Sequence, residues 1–197
     1  MPEMTRCVIL TALMAEAVPM INFYRLKKQA LQVGTQLFCS DRVDLIVCGM
    51  GGKRMASGIK AYLRAKHPVP AIYWLNLGTA GALDHAVGDL VWAQSIAGIK
   101  IGQPQGEAQS RPMDVISLNK PGIDYAPGVL FDMEARACID TLRENVIEFE
   151  PAHLFCAKVV SDNQLDPLLK KDKHQLMFLM QKHQKSLASA IKKTINT

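Results

Sequence analysis

Acidic side chains occur at three places in this 197-residue chain where a buried element is expected to end. Glu16 follows the first apolar run, Asp132 and Glu134 lie at a strand-to-helix junction, and Asp162 closes a later apolar run. Ionising a carboxyl group beside buried apolar residues is costly, so acids in such places commonly have a chemical purpose. Carboxyl groups can supply a proton, orient a water molecule or accept hydrogen bonds from hydroxyl groups of a substrate.

Each of these acids also has a plainer interpretation when it is taken alone. An acid shortly after a strand stabilises the positive end of a helix dipole, which would account for Glu16 or Glu134. Asp162 could cap a helix, because Ser-Asp-Asn is a common capping sequence, and Met133 could fill the core. The chemical interpretation therefore depends on the set of residues and on their order.

Apolar runs rich in β-branched residues predict the strands that would position these acids. Continuous runs of this kind are typical of strands that are covered on both faces, as in a parallel or mixed sheet between helices. The predicted strands are residues 7–13, 43–48, 71–77, 90–99 and 154–160.

A helical repeat of apolar residues predicts helices over residues 53–66, 134–146 and about 168–195. Alternating strands and helices indicate an α/β fold, a three-layer sandwich with a central mixed, partly parallel sheet flanked by helices. With 49% of its residues apolar, the chain can bury one core, so residues 1–197 are predicted to form a single domain. Pro, Gly, Gln and charged residues at about 103–125 predict an irregular segment.

Further short motifs join the acids in a fixed order. They are Ala-Leu-Met-Ala-Glu at 12–16, Cys-Gly-Met-Gly-Gly at 48–52, Asn-Leu-Gly-Thr-Ala-Gly-Ala at 76–82, Val-Gly-Asp-Leu-Val at 87–91, Phe-Asp-Met-Glu-Ala at 131–135 and Ser-Asp at 161–162. In this order they resemble the nucleoside phosphorylase and nucleosidase superfamily, especially its methylthioadenosine/S-adenosylhomocysteine nucleosidase branch. The resemblance implies a nucleoside phosphorylase-like fold and a hydrolase that cleaves the N-glycosidic bond of a purine nucleoside or thio-nucleoside.

The resemblance also implies catalytic roles. Cleavage passes through a sugar cation, so the enzyme supplies a proton to the departing base and a water molecule to the sugar. Asp162 would donate the proton, Ser161 would position Asp162, and Glu16 would orient the attacking water. Asp162 must then hold its proton at neutral pH.

Other residues would bind the substrate. Glu134 would accept hydrogen bonds from the two ribose hydroxyls, which suits a carboxylate because it is only an acceptor. Met133 would pack under the sugar. The remaining predicted substrate-binding residues are Met50, Gly78, Thr79, Asp132 and Lys158.

The chain departs from the family between Asp89 and Asp132, where the family has a longer stretch that places an aromatic residue against the base. Base recognition is therefore not carried over to this sequence. Tyr125 or Phe131 could stack on the base instead, or could belong to the core.

A second departure concerns the cations. Lys158 stands where the hydrolases usually have an arginine, and lysine keeps the charge without the bidentate fork. The arginine that phosphorolytic members carry soon after the first strand is absent from residues 11–20. Hydrolysis is therefore favoured over phosphorolysis. A non-catalytic nucleoside-binding protein of the same fold is the third interpretation.

Composition limits the possible partners and compartments. The net charge of +5 comes largely from lysines near the carboxyl end, which are typical of a solvated helix face, so no nucleic-acid partner is expected. Five cysteines without a Cys-x-x-Cys pair predict reduced thiols in a cytoplasmic protein. Residues 6–17 could pass for a short signal peptide, but Glu16 inside its cleavage site favours the strand. No apolar run is long enough to span a membrane.

Cofactors and assembly complete the expectations. The histidines lack metal-ligand spacing, and the glycines match neither a phosphate-binding loop nor a dinucleotide fingerprint, so neither a metal nor an organic cofactor is predicted. Members of the resembled family commonly assemble as dimers or larger rings, which implies a homo-oligomer.

Overall fold

The structure is a computed structural model that describes residues 5–31, 34–66, 72–104, 112–120, 125–166 and 172–196. In this part of the chain, eleven strands form one mixed sheet. The strands are β1 (Arg6–Thr11), β2 (Lys27–Gln29), β3 (Gln36–Cys39), β4 (Val43–Val47), β5 (Ile72–Ala82), β6 (Leu90–Trp92), β7 (Ser95–Ile96), β8 (Ile99–Lys100), β9 (Asp114–Ser117), β10 (Val129–Asp132) and β11 (Leu154–Asp162).

The centre of the sheet is parallel. β1 pairs with β4 on one side and β5 on the other, and β11 pairs with β5. Every residue of β4 and β11 is buried, as continuous apolar runs predict for strands covered on both faces. Antiparallel strands extend this centre: β3 and β2 beyond β4, β6 beyond β11, and β10 at the end of β5. β9, β7 and β8 follow beyond β10.

Helices cover both faces of the sheet. They are α1 (Met14–Tyr24), α2 (Gly52–Ala65), α3 (Ala135–Asn145), α4 (Lys173–Lys182) and α5 (Gln184–Ile195). Buried residues of α2 and α3 belong to one apolar core, and those of α1, α4 and α5 to a second. The three-layer α/β sandwich with a mixed sheet is confirmed.

Three predicted segments differ from the structure, and one of them is the strand predicted over 90–99, whose residues form β6, β7 and the start of β8. The last helix, predicted over about 168–195, is two helices, α4 and α5, that meet at His183, where Nε2 lies 2.6 Å from the carbonyl oxygen of Gly88. Residues 168–171 lie outside the described residues. Within the segment predicted to be irregular, Asp114–Ser117 is strand β9 between β7 and β10. Residues 105–111 and 121–124 of that segment also lie outside the described residues.

The short length of β9 explains why the sequence did not predict this strand. β9 has four residues, and Val115 is its one fully buried side chain, so its apolar pattern was too brief to outweigh the polar composition around it. Among the helices that the structure describes, none is long and apolar enough to cross a membrane.

Candidate active site

A cleft lies at the carboxyl ends of β1, β4, β5, β10 and β11, where open α/β sheets generally bind their ligands. Its open volume is about 690 Å³, including the space towards solvent. Eight of the ten residues predicted for the site line this cleft: Glu16, Met50, Thr79, Asp132, Met133, Glu134, Ser161 and Asp162. Gly78 and Lys158 lie behind its wall.

Glu16, in the first turn of α1, is held by backbone and side-chain donors. Its Oε2 accepts hydrogen bonds from the backbone N–H groups of Ala12, at 3.1 Å, and Leu13, at 2.9 Å. Its Oε1 accepts from the backbone N–H of Thr79, at 2.9 Å, and from the Thr79 hydroxyl, at 3.0 Å. Four donors therefore fix this buried carboxylate between the start of α1 and strand β5.

Gly78 serves this arrangement and does not face the cleft. A Cβ atom at position 78 would lie 3.1 Å from Oε1 of Glu16, which is tighter than most real Cβ contacts. The structure places Gly78 against Glu16, and the role of Gly78 in substrate binding stays a prediction. A side chain at position 78 would require the Glu16 carboxylate to move by a few tenths of an ångström.

The loop after β4 brings a backbone donor to Glu134. Gly49 and Gly51 both have positive φ, 94° and 93°, a backbone conformation that glycine adopts without strain. The N–H of Gly51 donates to Oε1 of Glu134 at 2.6 Å. Met50, between the two glycines, is 57% exposed at the mouth of the cleft.

Burial dominates the electrostatics of Glu134. Burial raises the pKa of the Glu134 carboxyl above its ordinary value of 4.5, while the charge of Lys158 and the Gly51 hydrogen bond oppose the rise. The neighbouring acids Asp132 and Glu16 add to it. This acid therefore takes up protons at a higher pH than a free glutamate.

Asp132 and Lys158 form a buried ion pair. Lys158 Nζ lies 2.7 Å from Asp132 Oδ2, and both side chains are 2% exposed or less. The Ser117 hydroxyl donates to Asp132 Oδ1 at 2.5 Å, and the N–H of Ala135 donates to Oδ2 at 3.0 Å. Burial lowers the pKa of Lys158, but Asp132, Cys156 and Glu134 together outweigh burial and leave this pKa raised. Lys158 is thus paired with Asp132 and is not among the residues that line the cleft, and its substrate-binding role stays a prediction.

A β-bulge presents Asp162. The pairing of β11 with β5 shifts between Val160 and Asp162, so that Asp162 lies opposite Gly81. Bulges re-aim side chains and are frequent beside active sites. The Ser161 hydroxyl contacts Asp162 Oδ1, and the Tyr125 hydroxyl donates to Asp162 Oδ2 at 2.6 Å.

Several residues of the site were not found from the sequence. Leu118, Lys120 and Leu176 also line the cleft. Tyr125, which the sequence offered as a residue that could stack on the base, contacts Asp162 through its hydroxyl group. Phe131, considered as a stacking residue, lines the cleft as well. Leu176 comes from α4, and a sequence pattern alone does not show which loop or helix covers a cleft. Within the described residues, no group of three or more His, Cys, Asp or Glu side chains could hold a metal ion.

Solved nucleosidases share this architecture. The 5'-methylthioadenosine/S-adenosyl homocysteine nucleosidase of Helicobacter pylori matches 96% of the chain and 98% of its own, with a TM-score of 0.70 and 12% identity. For Arabidopsis thaliana 5'-methylthioadenosine nucleosidase, the match covers 98% of the chain and 96% of that protein, with a TM-score of 0.70 and 16% identity. For futalosine hydrolase of Helicobacter pylori, the match covers 96% of the chain and 98% of that protein, with a TM-score of 0.70 and 13% identity.

These likenesses show the fold, which is nucleoside phosphorylase-like, as the resemblance seen in the sequence predicted. Within it, the neighbours named here are methylthioadenosine-type nucleosidases and a futalosine hydrolase. No protein-family model and no curated protein matches the sequence.

Proposed function

We propose that the chain is a nucleosidase that hydrolyses the N-glycosidic bond of a purine nucleoside or thio-nucleoside. The observation that carries this proposal is the meeting of Glu16, Glu134 and Asp162, from three distant parts of the chain, around one cleft. Apolar residues such as Phe131 and Leu176 line the cleft together with these acids, which is typical of small-molecule sites. The likeness to solved nucleosidases at 12–16% identity supports the same reading.

Asp162 is the proposed general acid. A purine leaves readily only when one of its ring nitrogens gains a proton as the bond to ribose breaks. Ser161 contacts one oxygen of Asp162 and limits the orientations of its carboxyl group. Asp162 also lies at the carboxyl end of β11, so its position is set by a strand in which every residue is buried.

Glu134 is the proposed ligand of the ribose hydroxyls. The described residues supply it with one donor, the N–H of Gly51, so the carboxylate keeps acceptor capacity for the sugar. Met133, which lines the cleft beside it, would pack against the apolar face of the ribose.

Glu16 is the proposed partner of the attacking water. Three of its four donors are backbone N–H groups that cannot leave, whereas the Thr79 hydroxyl can rotate away. The position of this hydroxyl is therefore the one at which a water molecule can donate to Glu16. The water would lose its proton towards Glu16 as it bonds to the sugar carbon.

Phosphorolysis is the alternative within the same fold. It requires a cation that holds phosphate in the cleft, and Lys158 is already paired with Asp132. Among the described residues that line the cleft, Lys120 is the one cation. Water is accordingly the proposed nucleophile, and Lys120→Ala would separate the two reactions if phosphate proved necessary.

Assembly into a homo-oligomer is part of the proposal. Phe23 on α1 and Phe178 on α4 are 44% and 59% exposed, and these two helices pack together. Exposed aromatic side chains are enriched at protein interfaces. Sedimentation of the purified chain would measure the assembly directly.

The test is release of free base from adenosine, inosine, methylthioadenosine and S-adenosylhomocysteine, with and without phosphate. We expect release without phosphate, and a loss of about 10²- to 10⁴-fold in Asp162→Asn with nucleoside binding nearly unchanged. The control is Asp140→Asn, which changes an exposed acid on α3. Equal binding and no turnover in all forms would contradict hydrolysis and favour a non-catalytic nucleoside-binding protein.

A further inference from the structure

Tyr125 contacts the proposed acid from the side opposite to Ser161. Its hydroxyl donates to Asp162 Oδ2 at 2.6 Å, while Ser161 contacts Oδ1. Both oxygens of Asp162 therefore lie against protein hydroxyls. The Ser161 oxygen is also 3.3 Å from the carbonyl oxygen of Ala80, which ties it to β5.

Gly81 makes the contact between Tyr125 and Asp162 possible. A Cβ atom at position 81 would lie 2.6 Å from Cε1 of Tyr125 and 2.7 Å from Oδ2 of Asp162. Both distances are shorter than real Cβ contacts, so any other residue at this position would push the two side chains apart. The tyrosine and the acid are thus fitted together over a glycine of β5.

The phenol is suited to remain a donor. Burial raises the pKa of Tyr125, and the hydrogen bond and charge of Asp162 raise it further. Tyr125 therefore keeps its proton at neutral pH. An acid that gives up its proton in a buried site leaves a carboxylate, and hydrogen bonds to a charged acceptor are the strong ones.

We propose that Tyr125 is a positioning residue for the acid, whose O–H fixes Asp162 Oδ2 and stabilises the carboxylate left when Asp162 protonates the departing base. This inference rests on the proposed function. In the step, the O–H bond of Asp162 breaks, its proton passes to a ring nitrogen of the base and the electron pair stays on Asp162. Tyr125 keeps its own proton throughout.

Tyr125→Phe tests the inference through the leaving group. We expect kcat/KM for the purine nucleoside to fall about 10- to 100-fold, as for a lost hydrogen bond to a charged group. The rate on p-nitrophenyl β-D-riboside should not change, because p-nitrophenolate leaves without a proton. The pH at which activity on the nucleoside declines should rise by about one unit, because Asp162 keeps its proton longer without the donor.

Tyr62→Phe is the matched control, because the Tyr62 hydroxyl donates to Asp44 at 2.8 Å in the core, away from the cleft. Tyr62→Phe loses the same kind of hydrogen bond. Its rate on the purine nucleoside, relative to its rate on p-nitrophenyl β-D-riboside, should equal that of the wild type. Thermal unfolding of both variants shows that each is folded. If the wild type releases base and Tyr125→Phe matches it on both substrates and in pH profile, this inference is wrong and the proposed function stands.

A second measurement needs no turnover. The carboxyl ¹³C resonance that disappears in Asp162→Asn identifies Asp162, and its titration is followed in the wild type and in Tyr125→Phe. We expect the titration to move to higher pH in Tyr125→Phe. If the wild type releases no base, the proposed function is wrong, and an identical titration in the two proteins overturns the inference about Tyr125 separately.

Discussion

Asp132 and Glu134 are two residues apart at the start of α3, yet their carboxyl groups have different surroundings. Asp132 is neutralised by Lys158 at 2.7 Å and accepts hydrogen bonds from Ser117 and Ala135. Glu134 has one donor from the described residues, Gly51, and its pKa is raised.

The difference separates two uses of a buried acid. A carboxylate whose charge and lone pairs are satisfied by the protein joins elements of the fold, here β9, β11 and α3. A carboxylate that burial leaves short of partners can take a ligand or a proton instead. We therefore expect changes around Asp132 to affect stability and changes at Glu134 to affect the reaction.

The largest effect is expected from Lys158→Met. This change leaves Asp132 buried without a counter-charge, which typically costs about 3–5 kcal/mol of unfolding free energy. Urea denaturation would measure it. The double variant Asp132→Asn, Lys158→Met buries no charge and should recover most of the loss. A Lys158→Met protein of wild-type stability would contradict the structural role of Asp132, because the buried Asp132 carboxylate would then not require the charge of Lys158.

Glu134→Gln should affect the reaction and leave the fold nearly intact. Loss of the charged acceptor for the ribose hydroxyls is expected to lower kcat/KM about 10- to 100-fold, as for hydrogen bonds to charged groups. Glu144→Gln, an exposed glutamate on the same helix, is the control. A large loss of stability with unchanged kinetics would place Glu134 in the same group as Asp132.

Ser117→Ala tests whether the hydrogen bonds to Asp132 serve stability alone. The Ser117 hydroxyl donates to Asp132 Oδ1 and accepts from the N–H of Arg136, at 2.9 Å. Its removal should cost about 1.5 kcal/mol of unfolding free energy and leave base release unchanged. Ser57→Ala, on the exposed surface of α2, serves as the control. A change in kinetics greater than the change in stability would show that Asp132 acts in the cleft.

The fold was largely predictable where apolar runs are long and continuous. β1, β4 and β11 and the inward faces of α2 and α3 follow from such runs, because burial on both faces or on one stripe dictates the residue type. β9 and β10 have four residues each, and their place in the sheet depends on pairing with distant strands. The break between α4 and α5 at His183 carries no proline or glycine that would mark it.

For the candidate site, the sequence indicated which residues lie at the cleft better than it indicated which of these residues contact each other. Glu16, Glu134 and Asp162 lie around one cleft, as the family order suggested. Partnerships such as Lys158 with Asp132 or Tyr125 with Asp162 join residues 26 and 37 positions apart. They follow from strand register and from the space over Gly81, which spacing along the chain does not reveal.

The smallest expected effect is a pH dependence that distinguishes the two acids. Well below its ordinary pKa of 4.5, Glu134 is protonated in both the folded and the unfolded chain. As pH rises from there to the raised native pKa, the unfolded chain loses this proton first, so the contribution of Glu134 to stability falls and then stays constant. Glu134→Gln lacks this loss. The unfolding free energy of Glu134→Gln relative to the wild type should therefore increase with pH across this window.

Urea denaturation at a series of pH values from 4 to 8 would measure that difference, with Glu144→Gln as the control for an exposed acid. A difference that stays level with pH would mean that the Glu134 carboxyl has its ordinary pKa despite burial. A difference that decreases with pH would mean that the native protein favours its ionised form, as for a carboxylate fully satisfied by the protein. Glu134 would then be a structural carboxylate like Asp132, and its raised pKa would no longer support its assignment as the ligand of the ribose hydroxyls.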